Sequence, residues 1–230
     1  NFDWTKTEAK LAPKLAKTNK AVIPGFYGSM PNGTIKTFSR GGSDVTGSIV
    51  ARATKAKLYE NWTDVSGCLI CDPRIVNNPE PIKTITYREL RELAYMGATV
   101  LHEDAIFPVR AAGIPVNIKN TNQPEDRGTM IVSESAEHCD HIITGIAGKK
   151  GMSVINIEKD KMNSEIGFGK NVLRALEKSN VSFEHMPSGV DTMSVVIATE
   201  ALAGKETAII DEIKSRVHPD QIYIESNLAL

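Results

Sequence analysis

Two adjacent glycines dictate where this chain turns from extended backbone into helix. The stretch Thr37-Phe38-Ser39-Arg40-Gly41-Gly42-Ser43-Asp44 runs straight into an amphipathic pattern, Val45, Ile49, Val50 and Ala53. Apolar residues at that spacing share one face of a helix. Gly41 and Gly42 permit positive φ and close approach of backbone. Ser43 and Asp44 are good N-cap residues for the helix that follows, expected over 43–56. A helix N-terminus with free N–H groups favours anions, and Arg40 adds a planar fork for a carboxylate or phosphate. The stretch therefore has the makings of an anion cradle. Gly-Gly before a helix is equally an ordinary turn, and the motif alone does not separate the two.

The neighbours give the cradle a setting. A helix is expected over 5–17, with Ala9, Ala12, Leu15 and Ala16 inward. Residues 21–26 read as a strand, and Asn32-Gly33 as a turn from which 35–38 pairs back. After the cradle and its helix, 58–62 reads as a further strand. Strand, glycine turn, helix, strand is the βαβ pattern of an α/β sheet. Ligands in such sheets sit at the carboxyl ends of strands. Thr63-Asp64-Val65 occupies such an end, and Asp72-Pro73-Arg74 follows as a turn carrying another arginine. Thr86 with Glu89 forms a capping box, opening a helix that buries Leu90, Leu93 and Ala94 and closes at Gly97. A helix over 103–112, a strand over 115–119, a polar loop and a strand over 129–132 complete this part.

Residues 134–141 are polar and without periodicity, and read as a linker. Residues 142–146 read as a strand. From Ser153 onward, strands at 153–157, 181–185, 193–199 and 221–225 alternate with helices at 167–179 and 205–217. That is β-α-β-β-α-β, the ferredoxin-like order.

Composition excludes several classes. The 230 residues are 41% apolar and 24% charged with net charge −1, which argues against a general nucleic-acid or membrane surface. No apolar run approaches a membrane span. Three cysteines are too few and odd in number for a disulfide framework, which favours a reducing cytoplasm.

The ordered motifs Ser-Arg-Gly-Gly-Ser-Asp (39–44), Trp-Thr-Asp-Val (62–65), Asp-Pro-Arg (72–74), Gly-Ala-Thr-Val-Leu-His (97–102) and Gly-Thr-Met-Ile-Val (128–132) resemble those of aspartokinases. The resemblance implies the C-terminal part of an amino-acid-kinase sandwich over 1–133, a linker at 134–141, and a ferredoxin-like α+β ACT domain over 142–230. In it the strand at 142–146 would belong to a second ACT domain. The kinase phosphate loop, Lys-Phe-Gly-Gly, would precede Asn1. The chain is then expected to be a piece of a longer enzyme, inactive by itself.

The implied reaction is phosphoryl transfer from ATP to the β-carboxylate of L-aspartate, opening lysine, threonine and methionine biosynthesis. By resemblance, Arg40, Gly41, Gly42 and Ser43 would hold aspartate, with Asp44 orienting the catalytic end. Thr63, Asp64, Asp72 and Arg74 would contact the nucleotide. Mg²⁺ would come with ATP, held mainly by phosphates and water rather than by a protein metal site. An amino-acid effector, lysine ahead of threonine, would meet Met162, Ile166, Gly167, Phe168 and Gly169, with Glu184 and Ser188 opposite. Glu184 and Glu165 would receive the two ammonium groups of lysine. Homo-oligomers through ACT domains and a cytoplasmic location are implied as well. Leu69 stands where a tyrosine is frequent in the family, and Thr99 where a lysine is frequent.

Other readings compete. Cys68-Leu69-Ile70-Cys71 with His138-Cys139-Asp140-His141 could supply four zinc ligands, but there is no second C-x-x-C and the intervening pair is apolar. His102 reads as a helix-start residue, because an ionised carboxylate acceptor needs no base. A non-catalytic amino-acid-sensing chain, binding a full-length partner, is the alternative to an enzyme.

Overall fold

The computed structural model describes residues 2–38, 41–98, 101, 103–133 and 142–230. It divides into two compact units, Asn1–Ala147 and Gly148–Leu230.

In the first unit, α1 (Trp4–Leu15) begins at Asp3, whose carboxylate accepts the Lys6 N–H at 3.0 Å. Trp4 sets the inward face: the Arg52 guanidinium lies 4.8 Å from its ring centroid. Ala9 and Ala16 are consequently exposed rather than inward, and no α1 residue is fully buried. Residues 21–26 form no strand, and Val22 is fully exposed. The hairpin lies further on, pairing β1 (Tyr27–Ser29) with β2 (Ile35–Thr37). Its register follows from the turn, where the Gly33 N–H donates to the Met30 carbonyl at 2.9 Å and the Asn32 side chain accepts the Thr34 N–H at 3.1 Å.

Helix α2 (Gly42–Ala53) then leads to a separate four-stranded sheet. That sheet has the order β3-β5-β6-β4, with β3 (Tyr59–Thr63), β4 (Thr84–Thr86), β5 (Val116–Asn120) and β6 (Thr129–Val132). The hairpin and β3 therefore do not form the expected βαβ pair. The parallel partner of β3 is β5, with Thr63 opposite Asn120. β5 pairs antiparallel with β6, and β6 parallel with β4. The carboxyl ends of β3 and β5 and the start of β6 thus share one edge.

The Thr86 capping box opens α3 (Tyr87–Tyr95) as the residue pattern requires, and α4 (Glu103–Ala111) packs against α2. Ile85, Leu90, Val109, Val116, Ile118 and Ile131 make the core. Residues 142–146 form no strand. The Ile146 N–H donates to the Ile70 carbonyl at 2.6 Å and the Thr144 hydroxyl to Glu89 at 2.6 Å, so this stretch spends its polar groups on the first unit.

The second unit holds β7 (Lys150–Glu158), α5 (Phe168–Lys178), β8 (Thr192–Ala198), a one-turn α6 (Thr199–Leu202), α7 (Glu206–Val217) and β9 (Gln221–Ala229). The sheet order is β8-β7-β9, all antiparallel. The strand expected at 181–185 is reduced to isolated bridges, His185 to Val196 and Ser188 to Met193, on the outer side of β8. With that segment as the fourth position, the arrangement is ferredoxin-like. Ile155, Ile157, Val172, Leu176, Val195, Ile197, Ile209 and Ile213 interlock between sheet and helices, each 1% exposed or less.

Candidate functional site

The cradle forms, with a different cap from the one expected. Gly41, not Ser43 or Asp44, is the N-cap of α2; its φ of 57° is left-handed, and among the described residues no side chain caps the helix. Ser43 and Asp44 sit in the first turn instead. No described side chain therefore consumes the first N–H groups of α2, and Asp44 adds the one acidic group in its first turn. Gly42 has a packing reason of its own: a Cβ there would lie 2.6 Å from the Phe26 ring. Arg40 lies outside the described residues, as do Thr99, His102 and 138–141.

The helix start is tied to the sheet edge. The Asn61 amide donates to the Asp44 carboxylate at 3.0 Å and to the Tyr59 hydroxyl at 3.0 Å. The Tyr59 hydroxyl in turn donates to the Asp44 carbonyl at 3.3 Å. Burial holds the Tyr59 phenol above its ordinary pKa, so it stays a neutral donor. Gly47 lets Tyr59 approach, since a Cβ would meet its hydroxyl at 2.6 Å. Asp44 is thus brought next to Asn61 of β3, two residues before Thr63.

Thr63 and Asp64 stand at the carboxyl end of β3, as expected. The Thr63 hydroxyl donates to Asp64 at 3.2 Å, and the Thr63 carbonyl accepts from both the N–H and the hydroxyl of Thr121. Beside them lies a polar cluster that residue patterns did not single out. The Asn120 amide donates to the Ser66 hydroxyl at 2.9 Å, and Ser66 donates to Asp126 at 2.5 Å. Lys119 donates to the Asp126 carbonyl and lies 5.6 Å from the Trp62 ring centroid. Asn61 and Asn120 are each a buried amide at a core-facing strand position near a carboxyl end, and in sequence only their place near the end of a strand pattern marks them.

Arg74 turns back on Asp72, with Nε at 2.9 Å and a terminal nitrogen at 2.6 Å from its carboxylate. Those bonds hold the half-buried Asp72 carboxyl down at about 2. The pair forms a turn of its own, and among the described residues its side-chain bonds run between Asp72 and Arg74 and not to Thr63 or Asp64. Leu69 is on an isolated bridge with Pro81. Burial pushes the Cys68 thiol up to about 11, which disfavours a thiolate metal ligand. Among the described residues, no group of three or more His, Cys, Asp or Glu could hold a metal.

In the second unit, Gly167 caps α5 with φ 85° and no side-chain bond. Met162 and Phe168 are buried, and Gly169 lies beside Met186 and Met193, near Ser188 on its bridge. Ile166 is fully exposed. Glu184 is further along β8, opposite Val196, where its carboxylate meets Lys149 at 3.3 Å. Glu165 pairs with Lys159. Both carboxylates expected to receive ammonium groups thus already face lysines of this chain.

The first unit is thus an α/β unit in which a helix start opening on glycine is tied to a sheet edge that carries threonine and aspartate at a strand end. Residues 3–120 match the model of the Amino acid kinase family. Aspartokinase 3 of Bacillus subtilis is 44% identical over 210 residues, 91% of this chain and 46% of that protein. The crystal structure of Clostridium acetobutylicum aspartate kinase superposes with a TM-score of 0.90 at 60% identity, covering 100% of this chain and 53% of that one. Aspartokinase III of E. coli, solved with lysine and aspartate, gives 0.72 at 25% identity over 98% of this chain and 50% of its own. The chain belongs to the amino acid kinase family and, within it, to the aspartokinases. It spans about half the length of these relatives.

Proposed function

We propose that this chain forms part of an aspartokinase that transfers the γ-phosphoryl group of ATP to the β-carboxylate of L-aspartate. The observation that carries the reading is the Asn61–Asp44 bond of 3.0 Å, which fastens the uncapped start of α2 to the carboxyl end of β3. An anion at the helix start and a nucleotide at the strand end would then lie side by side. The β-carboxylate oxygen attacks the γ-phosphorus, the bond to the β-phosphate oxygen breaks, and ADP leaves with 4-phospho-L-aspartate as product. The acceptor is already ionised, so positioning and charge compensation supply the catalysis.

Gly41, Gly42, Ser43 and Arg40 bind the aspartate in this reading, and Asp44 fixes the catalytic end. Thr63, Asp64, Asp72 and Arg74 hold the nucleotide, with Mg²⁺ carried on its phosphates. Arg74, itself exposed, leaves Asp72 to do so. The E. coli relative solved with lysine supports an amino-acid effector; in this reading the effector meets Met162, Ile166, Gly167, Phe168 and Gly169, with Glu184 and Ser188 on the facing segment. The product opens lysine, threonine and methionine biosynthesis, and lysine is the first effector to try. Assembly through the second unit and a cytoplasmic location complete the proposal; among the described residues no helix is long and apolar enough to cross a membrane.

The test is a coupled ADP-release assay on the full-length protein. L-Aspartate should support turnover and L-glutamate should not. Asp44→Ala should lower kcat/KM by about 2–4 kcal/mol, the cost of losing a charged contact at the reacting end. No aspartate-dependent ADP release from the wild type would sink the proposal, and an unchanged kcat/KM in Asp44→Ala would remove that residue from the site.

A further inference from the structure

The loop after β7, residues 159–167, is fastened unevenly. Its first half is held from outside. The Asp220 carboxylate accepts the Asp160 N–H at 2.7 Å, the Asp191 carboxylate the Lys161 N–H at 2.9 Å, and the Val190 carbonyl the Asn163 N–H at 3.1 Å. In the second half the backbone bonds are local: the Glu165 N–H reaches only the Met162 carbonyl, at 3.1 Å, and Ile166 is fully exposed. Among the described residues, the side-chain tie from this half to another element is made by Lys159. Its ammonium pairs with the Glu165 carboxylate, donates to the Val217 carbonyl at 2.5 Å, and lies 5.8 Å from the Phe168 ring centroid.

Each of those contacts has a physical logic. Val217 is the last residue of α7, where unpaired carbonyls carry partial negative charge and favour a cation. The Phe168 ring adds a weaker attraction at that range. The Lys159 side chain is 21% exposed, so the contacts operate with less solvent screening than a surface pair has.

We propose that Lys159 is a positioning residue for the effector loop. It holds residues 164–167 against the end of α7, so that the next N–H groups of α5, those of Gly169 and Lys170, present one fixed face to the carboxylate of an amino-acid ligand. The proposal rests on the effector reading of this loop given above. It also assigns Glu165 a structural partner, which leaves the ligand's ammonium to be received elsewhere.

The experiment uses the full-length protein and L-lysine, with L-threonine as the second probe. Amide hydrogen exchange without ligand is measured first. In Lys159→Met, peptides covering 164–168 should exchange at least about tenfold faster, while Lys159→Arg keeps the cation and the protection. Calorimetry should then show the Kd for the bound amino acid rising at least about tenfold in Lys159→Met and staying within about threefold in Lys159→Arg. Glu165→Gln should reproduce the loss, and the double variant should be no worse than the worse single one, the mark of a coupled pair. A lowered melting temperature with unchanged exchange at 164–168 and unchanged Kd would overturn the proposal and leave the effector reading intact. Additive losses in the double variant would overturn it as well. A wild type that binds neither amino acid would bring down the effector reading, and the positioning role with it.

Discussion

Cys68 and Asn61 both sit in the first unit's interior, and their environments give them opposite tasks. Cys68 is 5% exposed, and burial lifts its thiol from an ordinary 9.0 to about 11. The neutral thiol is thereby favoured by folding. Its contribution to stability is complete below pH 9 and is lost as pH rises from 9 towards 11. At pH 8 the thiolate is about one part in a thousand, so iodoacetamide should leave Cys68 unmodified in the native protein and alkylate it in denaturant. Equal labelling rates in the two states, read by peptide mass spectrometry, would contradict the burial. Asn61 instead faces Asp44 and keeps its amide paired. A lone asparagine in a strand pattern carries no mark of its partner in sequence, because the partner lies on another element. The glycine pair was legible as the start of a helix for the converse reason: positive φ is a local requirement. Which residue would cap was not legible, since Gly41 takes the left-handed position and moves Ser43 and Asp44 into the first turn.

The capping box and most of the strands were read correctly, whereas stretches whose apolar pattern finds no neighbouring strand were not. The Thr86–Glu89 box is local: the Thr86 hydroxyl accepts the Glu89 N–H at 3.2 Å, and Glu89 accepts the Thr86 N–H at 2.9 Å. Glu89 also receives the Thr144 hydroxyl, so one carboxylate caps the start of α3 and fastens 142–146 to the first unit. Thr86→Ala should therefore cost about 1–2 kcal/mol, at the upper end for an N-cap, measured by urea denaturation of the whole chain. A loss under a few tenths of a kcal/mol would mean that solvent replaces the cap. The stretches 21–26 and 142–146 show the limit of apolar pattern. Both are rich enough in Val or Ile to read as strands, yet Val22, Ile142 and Ile143 are exposed and find no ladder among the described residues. A strand needs a neighbour to accept its N–H groups, and propensity does not say whether one exists. The hydroxyl, amide and carboxylate cluster at Ser66, Asn120 and Asp126 was missed likewise, since it assembles from β3 and β5 loops more than fifty residues apart.

At the scale of the molecule, the second unit has what a chain needs to fold by itself. Its core is continuous from β7 through α5 and α7, with Ile155, Val172, Val195, Ile209 and Ile213 fully buried. Its two ends meet: the Lys149 N–H donates to the Leu230 carbonyl at 2.9 Å, and the Leu230 N–H returns to the Lys149 carbonyl at 3.0 Å. Excising residues 148–230 therefore cuts the chain outside its own hydrogen-bonded perimeter. The excised unit should fold cooperatively, with a single urea transition seen alike by far-ultraviolet circular dichroism and tyrosine fluorescence. Ile155→Ala, in the central strand, should lower its stability by about 2–5 kcal/mol, the cost of a large-to-small change in a closed core. Starting the excised unit at residue 151 should weaken it too, because the Lys149–Leu230 pair and the Lys150–Ala229 register are then gone. A non-cooperative or molten excised unit would show that its core depends on the rest of the protein. Normal stability from residue 151 onward would show that the closure of the two ends contributes nothing.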